Sequence, residues 1–177
     1  EVRLVAQLWL RPGNTSCGGN STAFFLDLHE NLPRHIRLRG VRADSGFCLP
    51  ELLALWEQLG LPYVVVAQLS QPIQKLLKNN LPWTVTEVPG TEVAELDYQA
   101  MSWPHPRRLV LIRHRVREDE TRGGKRLLDV PGYRFQALVT SLPAASHPPL
   151  LVWRHYNGRA DCENVIKELQ AGFALPT

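Results

Sequence analysis

The feature that most constrains this chain is a change of hydrophobic period after residue 80. Up to residue 69 the pattern alternates between strand and helix; from residue 83 to 142 it is almost all strand. "VRLVAQLWLRPG" is apolar-rich and ends in Pro-Gly, which predicts a strand and a turn. In "NSTAFFLDLHENLP", Asn20 or Ser21 can cap a helix that Leu32-Pro33 ends. "HIRLRGV" sets Ile36, Leu38 and Val41 against Arg37 and Arg39, the alternation of a strand. "LPELLALWEQLG" is a helix with Pro50 near its start, Leu52, Leu53 and Trp56 on one face, and Gly60 closing it. "PYVVVAQL" is a short buried strand of β-branched residues. Such alternation argues for an α/β layer with parallel pairing.

A short helical piece near "PIQKLLKN" follows, then the strands "WTVTEV", "EVAELDY", "RRLVLIRHRV" and "YRFQALVTSL", separated by Pro89-Gly90 and Gly123-Gly124. They predict an inserted antiparallel segment. "LPAASHPP" reads as a loop, and "LLVWRHYNGRADCENVIKELQAGF" as a final helix with Gly172 near its end. The expected units are therefore residues 1–80, a β-rich insertion over 81–149, and a final helix over 150–177.

A chain of 177 residues suits one domain with a sizeable core, and 44% hydrophobic with 21% charged residues marks a globular rather than a disordered chain. No apolar run reaches the roughly 18 residues of a membrane span. The opening "EVRLVAQLWL" starts on an acid and lacks a small-residue cleavage site, unlike a signal peptide. Cys17, Cys48 and Cys162 share no metal-type spacing and are odd in number, which argues for small, partly buried residues in a reducing cytosol. The histidines show no ligand spacing either, which disfavours zinc. A net charge of +3 permits a nucleic-acid partner without demanding one.

Two short motifs carry chemistry. At about 100° per residue, Arg159, Glu163 and Gln170 fall at about −60°, −20° and −40° from Tyr156, a single stripe of the final helix. Gly158 weakens the first turn of that stripe. One reading is an Arg159–Glu163 pair on a solvated surface, which stabilises weakly. The other is a site facing phosphate, with a carboxylate for metal and a guanidinium for the phosphodiester. The second motif is "RADSGF". Asp44 follows a predicted parallel strand, where ligand sites of open α/β sheets gather. Its plain role is an Asp-Ser-Gly turn that bonds backbone amides. Two carboxylates brought over one sheet end can hold Mg²⁺ ions for phosphodiester chemistry, although such a site normally wants a third.

The insertion clusters cations. Arg113, Arg115 and Arg117 alternate with His114 and Val116, so one strand face would be cationic and suit a DNA backbone, or else be a solvated face balanced by Glu118, Asp119 and Glu120. Trp103 in "MSWPHPRR" is a candidate for stacking on an unpaired base, but core or hairpin packing is the commoner role of a Trp and the favoured reading.

"RADSGF" and "YNGRADCENVIKELQAGF" resemble bacterial insertion-sequence transposases of the DDE type, which have an RNase H-like catalytic core. The group's signature is Tyr, two residues, Arg, three residues, Glu, six residues, Lys; Tyr156, Arg159 and Glu163 match it, and Gln170 stands where the lysine would be. "LRPGNTSCGGNSTAFF" and "YRFQALVTSL" also look like this group, so the resemblance covers essentially the whole chain. It implies an RNase H-like mixed α/β sheet with flanking helices and a β-rich insertion before the last helix. Asp44 would be the second metal-binding acid and Glu163 the third, with Mg²⁺ or Mn²⁺ as cofactor. Tyr156 and Arg159 would hold DNA phosphate; Gln170 can donate a hydrogen bond there but brings no charge.

The resemblance further implies double-stranded DNA (transposon ends and target) as partner, a homodimer in the DNA complex, no membrane, and a bacterial, cytoplasmic, nucleoid-associated location. The first catalytic aspartate of the family has no counterpart here, since Asp27 sits on a predicted helix. The expectation is a core truncated at its N-terminus and inactive in strand transfer by itself. A non-catalytic DNA-binding remnant and a related metal-dependent nuclease are the alternatives; a glycosidase-like carboxylate pair is more distant.

Overall fold

A computed structural model describes residues 6, 7, 9, 19–116, 125–127 and 130–158. The elements run α1 (Ser21–Asn31), β1 (Val41–Ala43), a 3-10 turn (Ser45–Phe47), α2 (Pro50–Gln58), β2 (Tyr63–Ala67), α3 (Gln71–Lys78), β3 (Thr84–Val85), β4 (Thr91–Tyr98), β5 (Arg107–Arg115), β6 (Lys125–Leu127), β7 (Val130–Thr140) and α4 (Pro149–Asn157). Proline opens α2, α3 and α4, where its missing N–H costs nothing and its fixed φ suits the first turn.

One seven-stranded sheet organises the described residues, in the order β1-β2-β7-β5-β4-β3, with β6 also on β7. Only β1 and β2 run parallel; the other described pairs are antiparallel. The β-rich segment is therefore continuous with the α/β part, because β7 hydrogen-bonds directly to β2 through Val64↔Thr140 to Ala67↔Ala137. Thr140 reinforces that join: its hydroxyl donates to the Tyr63 carbonyl at 2.7 Å, and the Tyr63 amide donates to Ser141 Oγ at 3.0 Å.

Both faces of this sheet are buried, and the alternation along each strand sorts its side chains between them. Val65, Ala67, Leu109, Leu111, Ala137 and Val139 join Leu52, Leu53, Trp56, Ile73 and Leu77 of α2 and α3 in the larger cluster. Val64, Val110, Ile112 and Leu138 face the other way and pack on Val152 of α4. This is the RNase H-like arrangement of a mixed sheet flanked by helices. No helix among the described residues is long and apolar enough to cross a membrane.

One predicted strand moves. "HIRLRGV" was expected to pair along its length, but the ladder holds only Val41–Ala43. Its partner explains this: Val41 pairs with Tyr63, and the residue before that is Pro62, which has no N–H to donate. The Val41 amide still reaches the Pro62 carbonyl at 2.8 Å, and then pairing stops. Ile36, taken as an inward strand residue, is 41% exposed. The predicted opening strand lies mostly outside the described residues, and the part of the predicted final helix beyond Gly158 lies wholly outside them.

Candidate active site

Asp44 follows the last residue of β1 directly, at the carboxyl end of the parallel pair. Its carboxylate caps the 3-10 turn, with Oδ1 accepting from the Gly46 amide at 3.0 Å. The Asp-Ser-Gly turn foreseen as its plain role is thus present, and it fixes the carboxylate at the strand end.

A notch in the sheet opens beside it. β2 ends at Ala67, paired with Ala137, while β7 runs on; at Phe135 the same flank is taken by β6 through Lys125. Among the described residues Gln136 has neither partner, and a cleft of about 330 Å³ opens there. Its lining includes Asp44, Ser45, Gln68, Phe135, Gln136 and Tyr156. Asp44 and Tyr156 are 112 residues apart in the sequence, and the fold brings these two residues, one from each motif, to one cleft. No motif pointed to Gln68 or Gln136; the only signal for them is their position just past or opposite the end of β2.

Three features seat the helix that delivers Tyr156. Val152 is fully buried against the sheet, and Tyr156, one turn on, packs at the edge of the same cluster. Arg42 of β1 donates from Nη1 to the His155 carbonyl at 2.8 Å, tying the end of α4 to the strand that carries Asp44. A Cβ at Gly158 would lie 2.6 Å from that same Nη1, so glycine there lets the guanidinium reach the helix end. Upstream, Arg108 holds the loop into α4, donating to the carbonyls of Leu142 and His147 at 2.9 Å each.

Of the other expected site residues, Arg113 and Arg115 are described, whereas Arg117, Arg159, Glu163 and Gln170 lie outside the described residues. Arg113 is engaged within the protein: Nε donates to Glu92 at 3.0 Å, and its guanidinium lies 4.4 Å from the Trp83 ring centre and 4.7 Å from that of Tyr133. Arg115 is exposed at the end of β5. Trp103 is a packing residue, 8% exposed, set edge-on to Tyr98 at 5.7 Å with Arg107 5.1 Å above its ring. Asp27 is on α1, as foreseen, and accepts from Trp9 Nε1 at 2.9 Å and Asn31 Nδ2 at 2.8 Å.

Cys48 is a half-buried free thiol whose burial pushes its pKa up to about 11, so it is no nucleophile at neutral pH. No group of three His, Cys, Asp or Glu side chains is placed to hold a metal among the described residues. Among the described residues Asp44 is the one carboxylate that lines the cleft, an oxygen donor of the kind Mg²⁺ takes. That donor fits a metal-binding acid and supplies only part of a coordination shell.

The cleft with Asp44 thus sits at the carboxyl end of the parallel pair in a mixed sheet flanked by helices. The chain belongs to the family described as Transposase DDE domain group 1, which matches residues 3–176. No curated protein matches it. Membership of a transposase family points to DNA as the partner, and domains of this type typically use a divalent metal.

Proposed function

We propose that this chain is the catalytic-core portion of a DNA transposase whose complete enzyme cuts and joins phosphodiesters at transposon ends. The observation that carries the proposal is the meeting of Asp44 and Tyr156 in one cleft at the strand ends; in the sequence Arg159 and Glu163 come three and seven residues after Tyr156. In this proposal Asp44 and Glu163 hold Mg²⁺ or Mn²⁺. The bound metal would activate the attacking oxygen and neutralise charge on the leaving one. Tyr156 and Arg159 position the phosphate, Arg159 through bidentate donation, and Gln170 adds one uncharged donor.

Arg115 and Arg117 extend the phosphate contacts along the insertion. Arg113 adds less, because Glu92 already offsets its charge. The Asp44 turn orients its carboxylate without needing metal to do so.

The test is metal-dependent cleavage of an end-containing duplex by the complete transposase carrying Asp44→Asn. Asparagine keeps the acceptor oxygen for the Gly46 amide, so the fold and duplex binding should persist while cleavage is abolished. Cleavage close to the parent rate would remove Asp44 from the site. A non-catalytic DNA-binding protein is the second reading, and the cation-rich stretch before β1 favours it.

A further inference from the structure

We propose that the acid-free arginine segment 34–42, with the cleft it borders at the end of α4, is a second surface for the phosphate backbone of duplex DNA. The inference rests on the transposase reading above and adds a surface to it.

The observation is a contrast in pairing. Four described arginines have carboxylate partners: Arg107 with Glu57 at 2.7 Å, Arg108 with Glu95, Arg113 with Glu92, and Arg154 with Glu87 at 2.9 Å. Arg34, Arg37, Arg39 and Arg42 have no ion pair among the described residues, and no acid occurs in the sequence from residue 31 to 43. All four are exposed. Neighbouring like charges repel, and among the described residues no carboxylate offsets these four.

The patch has shape as well as charge. A cleft of about 440 Å³ is lined by Arg39, Arg42, Tyr63, Leu142 and His155, among others, and no Asp or Glu lines it. Gly40 narrows it: a Cβ there would stand 2.9 Å from the Pro62 carbonyl, so only glycine lets the arginine-bearing segment lie this close to the start of β2. Arg42 is fixed at one corner by its bond to the His155 carbonyl. A guanidinium has five donors, so one such bond orients it without exhausting it.

A linear polyanion suits this surface better than a single small anion. The cations are spread over nine consecutive residues, from the turn at Arg34 to Arg42 within β1, whose last residue precedes Asp44. Duplex backbone running over residues 34–42 would be held beside the proposed cutting site. Each arginine would neutralise a phosphate and release counterions, giving affinity with little sequence preference.

The test is fluorescence anisotropy of a short labelled DNA duplex against salt, for the parent, Arg37→Ala/Arg39→Ala and Arg42→Lys. Both alanine sites are exposed, so circular dichroism should match the parent. The double variant should lose about two from the slope of log affinity against log salt, since each phosphate contact contributes about 0.9. Arg42→Lys keeps the charge and should keep the slope. Unchanged affinity and slope in the double variant, with a parent that binds duplex, would overturn this inference and leave the proposed function standing. A parent that fails to bind duplex at low salt would overturn both. An anionic-vesicle arm separates a membrane surface: lost vesicle binding with intact duplex binding would also overturn the inference.

Discussion

The arginines of the sheet and those of residues 34–42 are the same residue type used in opposite ways. On the sheet, Arg107 is buried and locks to Glu57 with two parallel bonds, Nε at 2.7 Å and Nη2 at 2.8 Å. Tyr63 donates to the same carboxylate at 2.6 Å, and His105 approaches it at 3.3 Å. This cluster ties α2, β2 and the start of β5 together. Over residues 34–42, the arginines meet no carboxylate among the described residues. The difference teaches that an arginine's role here follows from whether the fold places a carboxylate opposite it.

The largest expected effect is on the paired side. Arg107→Ala takes both guanidinium bonds from a half-buried Glu57 carboxylate, leaving it Tyr63 and His105, and should cost on the order of 3 kcal/mol in urea unfolding, with the salt slope of duplex binding unchanged. A changed slope without lost stability would break the division between the two groups.

The same substitution sharpens it through pH. The Arg107 hydrogen bond, with help from Tyr63 and His105, holds the Glu57 pKa below its ordinary value against the opposing effect of burial. A depressed folded pKa gives stability that is complete above the unfolded value, near 4.3, and is lost as pH falls through the folded one. The parent should therefore lose stability below about pH 4.3 more steeply than Arg107→Ala, measured as unfolding midpoint against pH. Parallel profiles would show that the pair contributes no such linkage.

The smallest effect is at the rim. Arg154 and Glu87 are 52% and 65% exposed, so Arg154→Ala should change stability by about 0.5 kcal/mol or less. A cost as large as that of Arg107→Ala would mean that pairing, rather than burial, sets the scale.

Much of the fold was legible because its signals are local. Prolines mark the starts of α2, α3 and α4, and apolar runs mark β2, β5 and β7. Asp44 and Tyr156 were legible as motifs, and the cleft joins them. What escaped depends on partners far along the chain. The alternation of Arg113, His114 and Arg115 suggests one cationic face, yet Arg113 stands opposite Glu92 in the β4–β5 register and between two aromatic rings. That register is not written in either strand alone. "HIRLRGV" has a strand's period, but Pro62 limits where its partner can pair. The unanswered arginines of residues 34–42 went unread for the converse reason: their distinction is what does not lie opposite them.

The most direct measurement is calorimetric titration of Mn²⁺ into the parent chain and into Glu163→Gln, each with and without a short duplex. If Asp44 and Glu163 share a metal, the variant should lose at least about tenfold in metal affinity, since even indirect supports of a metal site typically cost that much. Equal metal binding by the two proteins, with duplex binding intact, would contradict the shared site and leave only a cationic surface that holds DNA.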